Sequence, residues 1–228
     1  MTEHSDSWPL TGSRPSFQMA THGAVLPLLA AYAGLPADDV PGRPSSALSG
    51  YLRWAVISDP ALAAIAAAQL RQLAGRLLNE PDTVPSVIHD ALPVTPAGEK
   101  AGASWADTVA TLLEQAVDSG FPPPGPPVTF WEWNQRFPAL AQFLGCYFTQ
   151  DFRDEFADHD TATAAWGQTA TPADRARLIG EIAELLALEM ADNELDEALA
   201  TLGMDVDPPL PASAWLSHVH RSVTGSDR

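Results

Sequence analysis

The feature that most constrains this chain is the run FPPPGPPV, Phe121 to Val128. Five prolines and a glycine in eight residues cannot continue a helix, because each proline lacks a backbone N–H and clashes with the preceding turn. Such a run favours an extended, fairly stiff connector. It divides the 228 residues into a first part near 18–120 and a second near 130–223.

Set against each other, the two parts read as one unit written twice. With an offset of about 111 residues, LPLLAAYAGL (Leu26–Leu35) falls on FPALAQFLGC (Phe137–Cys146), so that Pro27 and Gly34 meet Pro138 and Gly145. One residue of slip places Asp59–Leu78 on Thr171–Met190, where Leu70 meets Ile182 and Leu73 meets Leu185. Each part closes on a tryptophan-led stretch, ASWADTVATLL and ASAWLSHV. The common order of elements predicts a tandem duplication.

The elements themselves read as helices. Alanine and leucine, both strong helix formers, dominate the apolar residues. Leu178, Ile182, Leu185, Leu186 and Met190 follow the i, i+3/i+4 rhythm of an amphipathic helix. Thr171-Pro172 supplies its start, with Thr as N-cap and Pro in the first turn. A short helix is expected around Asn193–Leu202, capped by Asp192 or Asn193 and stopped by Gly203. The last helix opens at Ala212 or Ser213 and carries Trp215, Leu216 and Val219 on one side. Val128–Trp133, VTFWEW, is the best strand candidate and reads equally well as an extended segment docked by its aromatics. Cys146, the single cysteine, cannot form an internal disulfide and falls in an apolar helical pattern as a core residue. Trp54, Trp105, Trp166 and Trp215 are expected in the core. The predicted fold is all-α, two similar helical units joined by a proline-rich linker and packed together. Its parts are a flexible N-terminus 1–17, a first unit 18–120, a linker 121–129, a second unit 130–223 and a flexible tail 224–228.

Charge narrows the partners. The chain has 29 acidic against 12 basic residues, a net charge of −17. Such a field repels nucleic acid and anionic membranes and attracts cationic partners. Residues 1–125 hold 12 acidic and 6 basic residues, and residues 126–228 hold 17 and 6. The densest stretch is QDFRDEFADHD, Gln150–Asp160. If helical, it would set Asp151, Asp154, Glu155 and Asp158 on one face, where their mutual repulsion invites a cation. The contact residues expected there are Gln150, Asp151, Asp154, Glu155, Asp158 and Asp160, although a plain solvated face reads as well. No metal or cofactor is expected: Asp154, Asp158, His159 and Asp160 match no calcium loop, and no HExxH is present. His218 and His220 lie two apart and so point to different helix faces. With no nucleophile elbow, P-loop or dinucleotide fingerprint, no catalysis is expected. The N-terminus lacks the basic-then-apolar layout of a signal peptide, and no apolar run approaches a membrane span, so a cytoplasmic protein is expected.

The second part resembles the immunity proteins of contact-dependent growth inhibition and related polymorphic toxin systems. Those begin F-P-x-L-x-Q-F-x-G-x-Y-x-x-Q-D-[WF], met here by Phe137, Pro138, Leu140, Gln142, Phe143, Gly145, Tyr147, Gln150, Asp151 and Phe152. Near the end, Gly203, Asp207-Pro208-Pro209 and Trp215-Leu216 continue the likeness, which covers about residues 136–223. The first part keeps the Pro, Leu and Gly skeleton, but Pro36-Ala37-Asp38-Asp39 stands where Q-D-[WF] belongs, so it resembles a degenerate copy. The resemblance implies a helical, non-catalytic protein that binds and occludes the toxin domain of a cognate effector, often a nuclease. Such toxins need cationic clefts for phosphates, which suits an acidic inhibitor. Phe137, Leu140, Phe143 and Trp215 are then structural. A helical adaptor with an ordinary protein partner is the alternative.

Overall fold

The computed structural model describes residues 23–94 and 99–225. The expected N-terminal segment 1–17 and the last three residues of the tail lie outside them. Among the described residues every regular element is a helix, and the one β-bridge is the isolated pair Val40 and Arg43.

The first half contains α1 (Val25–Ala31), α2 (Ser46–Ser58), α3 (Ala61–Asn79), a 3-10 turn at Pro81–Thr83, α4 (Ser86–Asp90) and α5 (Glu99–Ser119). Ser45 caps α2 by accepting from the Leu48 N–H at 3.1 Å. Asp39 fixes the preceding loop, accepting from the Ser45 N–H at 2.7 Å and from the Tyr32 hydroxyl at 2.8 Å. The α3–α5 pair is the backbone of this half. Leu77 lies against Gly102, while Arg71 reaches Asp107, Thr111 and Glu114, so the two helices run antiparallel. Their facing side chains are largely small: Ala63, Ala66, Ala67, Ala103, Ala106 and Ala110 are buried. Small residues let helix axes approach closely, and Leu70, Leu73, Val109 and Leu113 fill the remaining space.

The second half contains α7 (Pro138–Tyr147), α8 (Phe152–Glu155), α9 (His159–Thr169), α10 (Pro172–Leu186), α11 (Asp192–Thr201) and α12 (Ala212–Gly225). Thr171 and Asp174 form a capping box at the start of α10, as Thr-Pro predicts. Leu178, Ile182 and Leu185 of α10 are buried, whereas Leu186 and Met190 pack only partly. The helix ends at Leu186, and Glu189 beyond it has φ 51°. The N-cap of α11 is Ala191 rather than Asp192 or Asn193: Glu194 reaches back to the Ala191 N–H at 2.9 Å, and Asp192 turns outward to accept from the Ser213 N–H. Gly203 terminates α11 as expected, with φ 100°. Phe137, Phe143, Phe148 and Trp215 are almost fully enclosed, each contributing about 1.5–3 kcal/mol through removal of apolar surface from water.

Three expectations are corrected. Val128–Trp133 is neither strand nor extended segment: Thr129 accepts from the Glu132 N–H at 3.2 Å and starts α6, Phe130–Arg136. Cys146 is exposed, because the buried positions of α7 are Leu140, Phe143 and Leu144 and Cys146 faces away from them. Gly34 and Gly145 are not counterparts, since Gly34 follows α1 with φ 75° and Gly145 lies inside α7.

The apolar residues form two separate cores, one in each half, and α6 stands between them. Residues two apart on a helix point about 200° apart. Accordingly Trp131 packs into the first core and Trp133 belongs to the second. Between them Glu132, 2% exposed, accepts two 2.8 Å hydrogen bonds from the Arg53 guanidinium of α2. It also accepts from the Val128 N–H at 2.9 Å. A carboxylate can be buried here because the fork of Arg53 matches both of its oxygens.

Candidate binding surface

The acidic stretch does not form one helix. Gln150 and Asp151 lie in the turn before α8, and Asp154 and Glu155 occupy its single turn. The chain is extended at Phe156, and Asp158 is the N-cap of α9. The shared helical face expected for Asp151, Asp154, Glu155 and Asp158 is therefore absent. The break has two causes. Phe152 and Phe156 turn toward an aromatic cluster, with Phe152 stacked on Phe148 at 5.6 Å and Phe156 stacked on Tyr147 at 5.8 Å. Asp158 then accepts from both the N–H and the hydroxyl of Thr161 at 2.8 Å, which opens a new helix.

These roles sort the acids. All six predicted residues are exposed. Asp158 is committed to its cap, and the Thr161 hydrogen bonds hold its carboxyl below the usual range. Asp160 lies 2.8 Å from Nε2 of His218 on α12. Asp151, Asp154 and Glu155 form no side-chain hydrogen bond or ion pair among the described residues. His159 sits behind this surface, 4.7 Å from the Phe152 ring and 5.5 Å from Phe148. Burial lowers its pKa, opposed by a hydrogen bond with the Asp207 backbone. Among the described residues its Nε2 has no hydrogen-bond partner, and neither has Nε1 of the enclosed Trp215.

Sequence spacing did not reveal what lies beside these acids. The Asp205 N–H donates to the Phe148 carbonyl at 2.8 Å. That bond draws the Asp-Pro-Pro loop toward the acidic stretch and forms a depression of about 340 Å³ lined by Asp196, Asp205, Asp207 and Leu210. A larger cleft, of about 410 Å³ and walled in part by Tyr147, opens between α7, α9 and α10. Gln142, Cys146, Trp166, Thr169 and Arg177 line it. Glu181 forms part of its wall, its oxygens accepting from the N–H groups of Ala139 and Leu140 at the start of α7. Burial pushes the Glu181 carboxyl up, against those hydrogen bonds. No signal in the sequence pointed to this cleft, since three helices distant in the chain must meet to form it.

Neither depression carries a catalytic arrangement of nucleophile and base. Among the described residues, no three His, Cys, Asp or Glu side chains are grouped to hold a metal ion. No described helix is long and apolar enough to cross a membrane.

Residues 136–223 match the family described as CdiI immunity protein. A chain in the crystal structure of a CdiA-CT/CdiI complex from Y. kristensenii is 35% identical to this one. That match covers 39% of this chain and 98% of the other, with a TM-score of 0.37. No curated protein matches the chain. The matched segment runs from the last residue of α6 into α12 and so takes in nearly all of the second core. Through residues 136–223, this chain belongs to the CdiI immunity protein family.

Proposed function

We propose that this chain is an immunity protein that binds the toxin domain of a contact-dependent growth inhibition effector and blocks it by occlusion. The observation that carries this reading is the family match over the second core, in the half that also holds most of the negative charge. The neighbouring solved structure, named as a CdiA-CT/CdiI complex, supports a toxin domain as the partner. The toxin is a basic, nuclease-type domain, because a cationic phosphate-binding cleft is the natural complement of this acidic surface. Asp151, Asp154 and Glu155, exposed and without partners among the described residues, lead the contact, with Gln150 as a hydrogen-bonding neighbour. Asp158 and Asp160 contribute at the edge, since each already spends an oxygen inside the protein. The chain is not an enzyme: it acts in stoichiometric amounts, in the cytoplasm where an incoming toxin would be met.

The test is co-expression with the C-terminal toxin domain of a candidate cognate effector, scored by survival and co-purification. Rescue with a one-to-one complex supports the reading. Death of the cells with no complex, from well-expressed folded protein, removes it and favours an adaptor.

A further inference from the structure

The two halves share contacts that the sequence alignment alone does not reveal. In the second half, Glu181 of α10 accepts from Ala139 and Leu140 at the start of α7, at 3.1 and 2.8 Å. In the first half, Gln69 of α3, 112 positions earlier, accepts from Ala24 and Val25 at the start of α1, both at 3.2 Å. At the far end of each first helix, the C-cap is an aromatic residue set edge-on to the tryptophan of the last helix. Tyr32 meets Trp105 at 5.2 Å and 85°, and Phe148 meets Trp215 at 5.4 Å and 82°. Buried Ala66, Leu70 and Leu73 of α3 each lie 112 positions before buried Leu178, Ile182 and Leu185 of α10.

The same spacing pairs Trp54 of α2 with Trp166 of α9, and here the halves differ. Trp54 is covered by Trp131 of α6, edge-on at 5.4 Å, and the adjacent Arg53 grips Glu132. Trp166 has Phe143 on one side, at 5.4 Å, and lines the open 410 Å³ cleft on the other. Among the described residues nothing plays the part of α6 there. The cleft also has a charged border: Tyr147 forms part of its wall and stacks on Phe156, placing the loop that carries Asp151, Asp154 and Glu155 at its edge.

We propose that the open cleft beside Trp166 is where the toxin anchors, and that α6 fills the corresponding place in the first unit and leaves that unit without a toxin site. The occupant is a surface element of the toxin domain that inserts an apolar or aromatic side chain against Trp166, as Trp131 does against Trp54. Lysine or arginine residues beside that anchor meet the acidic edge. This is the common anatomy of a tight interface, a desolvated anchor pocket within a charged rim. The inference rests on the immunity reading and names the surface that performs it.

Cys146 makes the test direct. It is the only cysteine of the chain, exposed, and in the wall of the cleft. Maleimide labelling of the full-length protein is compared with and without the co-expressed toxin domain. The expected result is roughly tenfold or greater protection of Cys146 in the complex, because a bound anchor excludes the reagent. Gln142→Arg and Cys146→Arg, at exposed cleft positions, should each weaken the complex by roughly tenfold or more while leaving the helical signal and Tm unchanged. Ile65→Arg, on the first unit 112 positions before Arg177, should bind as the parent does. If the complex forms but Cys146 labels at the free rate and both arginine variants bind normally, the cleft is not the site and the immunity reading stands. A loss of binding in Ile65→Arg overturns the assignment of an idle first unit. If no complex forms and no rescue is seen, the immunity reading falls and this inference with it.

Discussion

At the scale of single residues, the most consequential contact is the Arg53–Glu132 pair. Its members are unequally enclosed, 17% exposed for the arginine side chain and 2% for the glutamate. Removing the arginine strands a carboxylate away from water, whereas removing the glutamate leaves a guanidinium that can reach solvent. Arg53→Ala should therefore cost about 3–5 kcal/mol, the range for breaking a buried pair from one side. Glu132→Ala should cost less, and the double variant should recover part of the Arg53→Ala loss. Urea unfolding of the three variants tests that order. His159 provides a second prediction. Burial places its pKa below the usual 6.5, so the unfolded chain takes up the proton first as the pH falls. Its contribution to stability is complete above about 6.5 and is lost as the pH drops through the folded value. Glu181, raised by burial, has the opposite sign: its contribution is complete below its ordinary 4.5 and is lost as the pH rises through the folded value. The fall in Tm between pH 7.5 and 5.5 should accordingly be shallower in His159→Gln than in the parent.

At the scale of elements, glycines 145 and 203 separate two uses of the same residue. A Cβ on Gly203 would lie 3.3 Å from the Gly145 Cα, and its φ of 100° suits no other residue. Gly203→Ala should destabilise by about 1–3 kcal/mol. A Cβ on Gly145 meets nothing within 4 Å, so Gly145→Ala inside α7 should stabilise by about 0.5–1 kcal/mol. Thermal unfolding reads both. Local chemistry of this kind was legible in the sequence: the Thr171 cap, the rhythm of Leu178, Ile182 and Leu185, the stop at Gly203 and the buried Trp215 all follow from neighbours in the chain. The acidic segment was legible as a charged, exposed surface, but not in its geometry. Its break at Phe156 depends on a ring supplied by Tyr147 and on a cap closed by Thr161. In α6 the aromatic-rich run V-T-F-W-E-W suits a strand by residue preference, and what makes it a helix is the Thr129 cap and a place between two cores, each of which takes one tryptophan. The outward turn of Cys146 and the cleft it borders have the same origin, since neither exists until α9 and α10 pack on α7.

At the scale of the whole molecule, two cores meet through one seven-residue helix. A helix this short has little stability of its own, so α6 is held by what it touches on either side. Trp131 rests on Trp54 and Tyr51, Trp133 on Phe137, and Glu132 on Arg53. Loosening either side should release the helix and with it the coupling between the halves. The two cores differ in kind: the first is alanine-rich and built on one long helix pair, while the second is filled by aromatics. They should therefore melt at different temperatures once uncoupled. Trp131→Ala removes the anchor in the first core and touches none of the buried residues of the second. Calorimetry of the parent should give one cooperative transition. The Trp131→Ala variant should give two, the lower one belonging to the first half, and toxin binding should raise only the upper one. A single transition in the variant, merely shifted downward, would mean that the halves communicate through contacts other than α6.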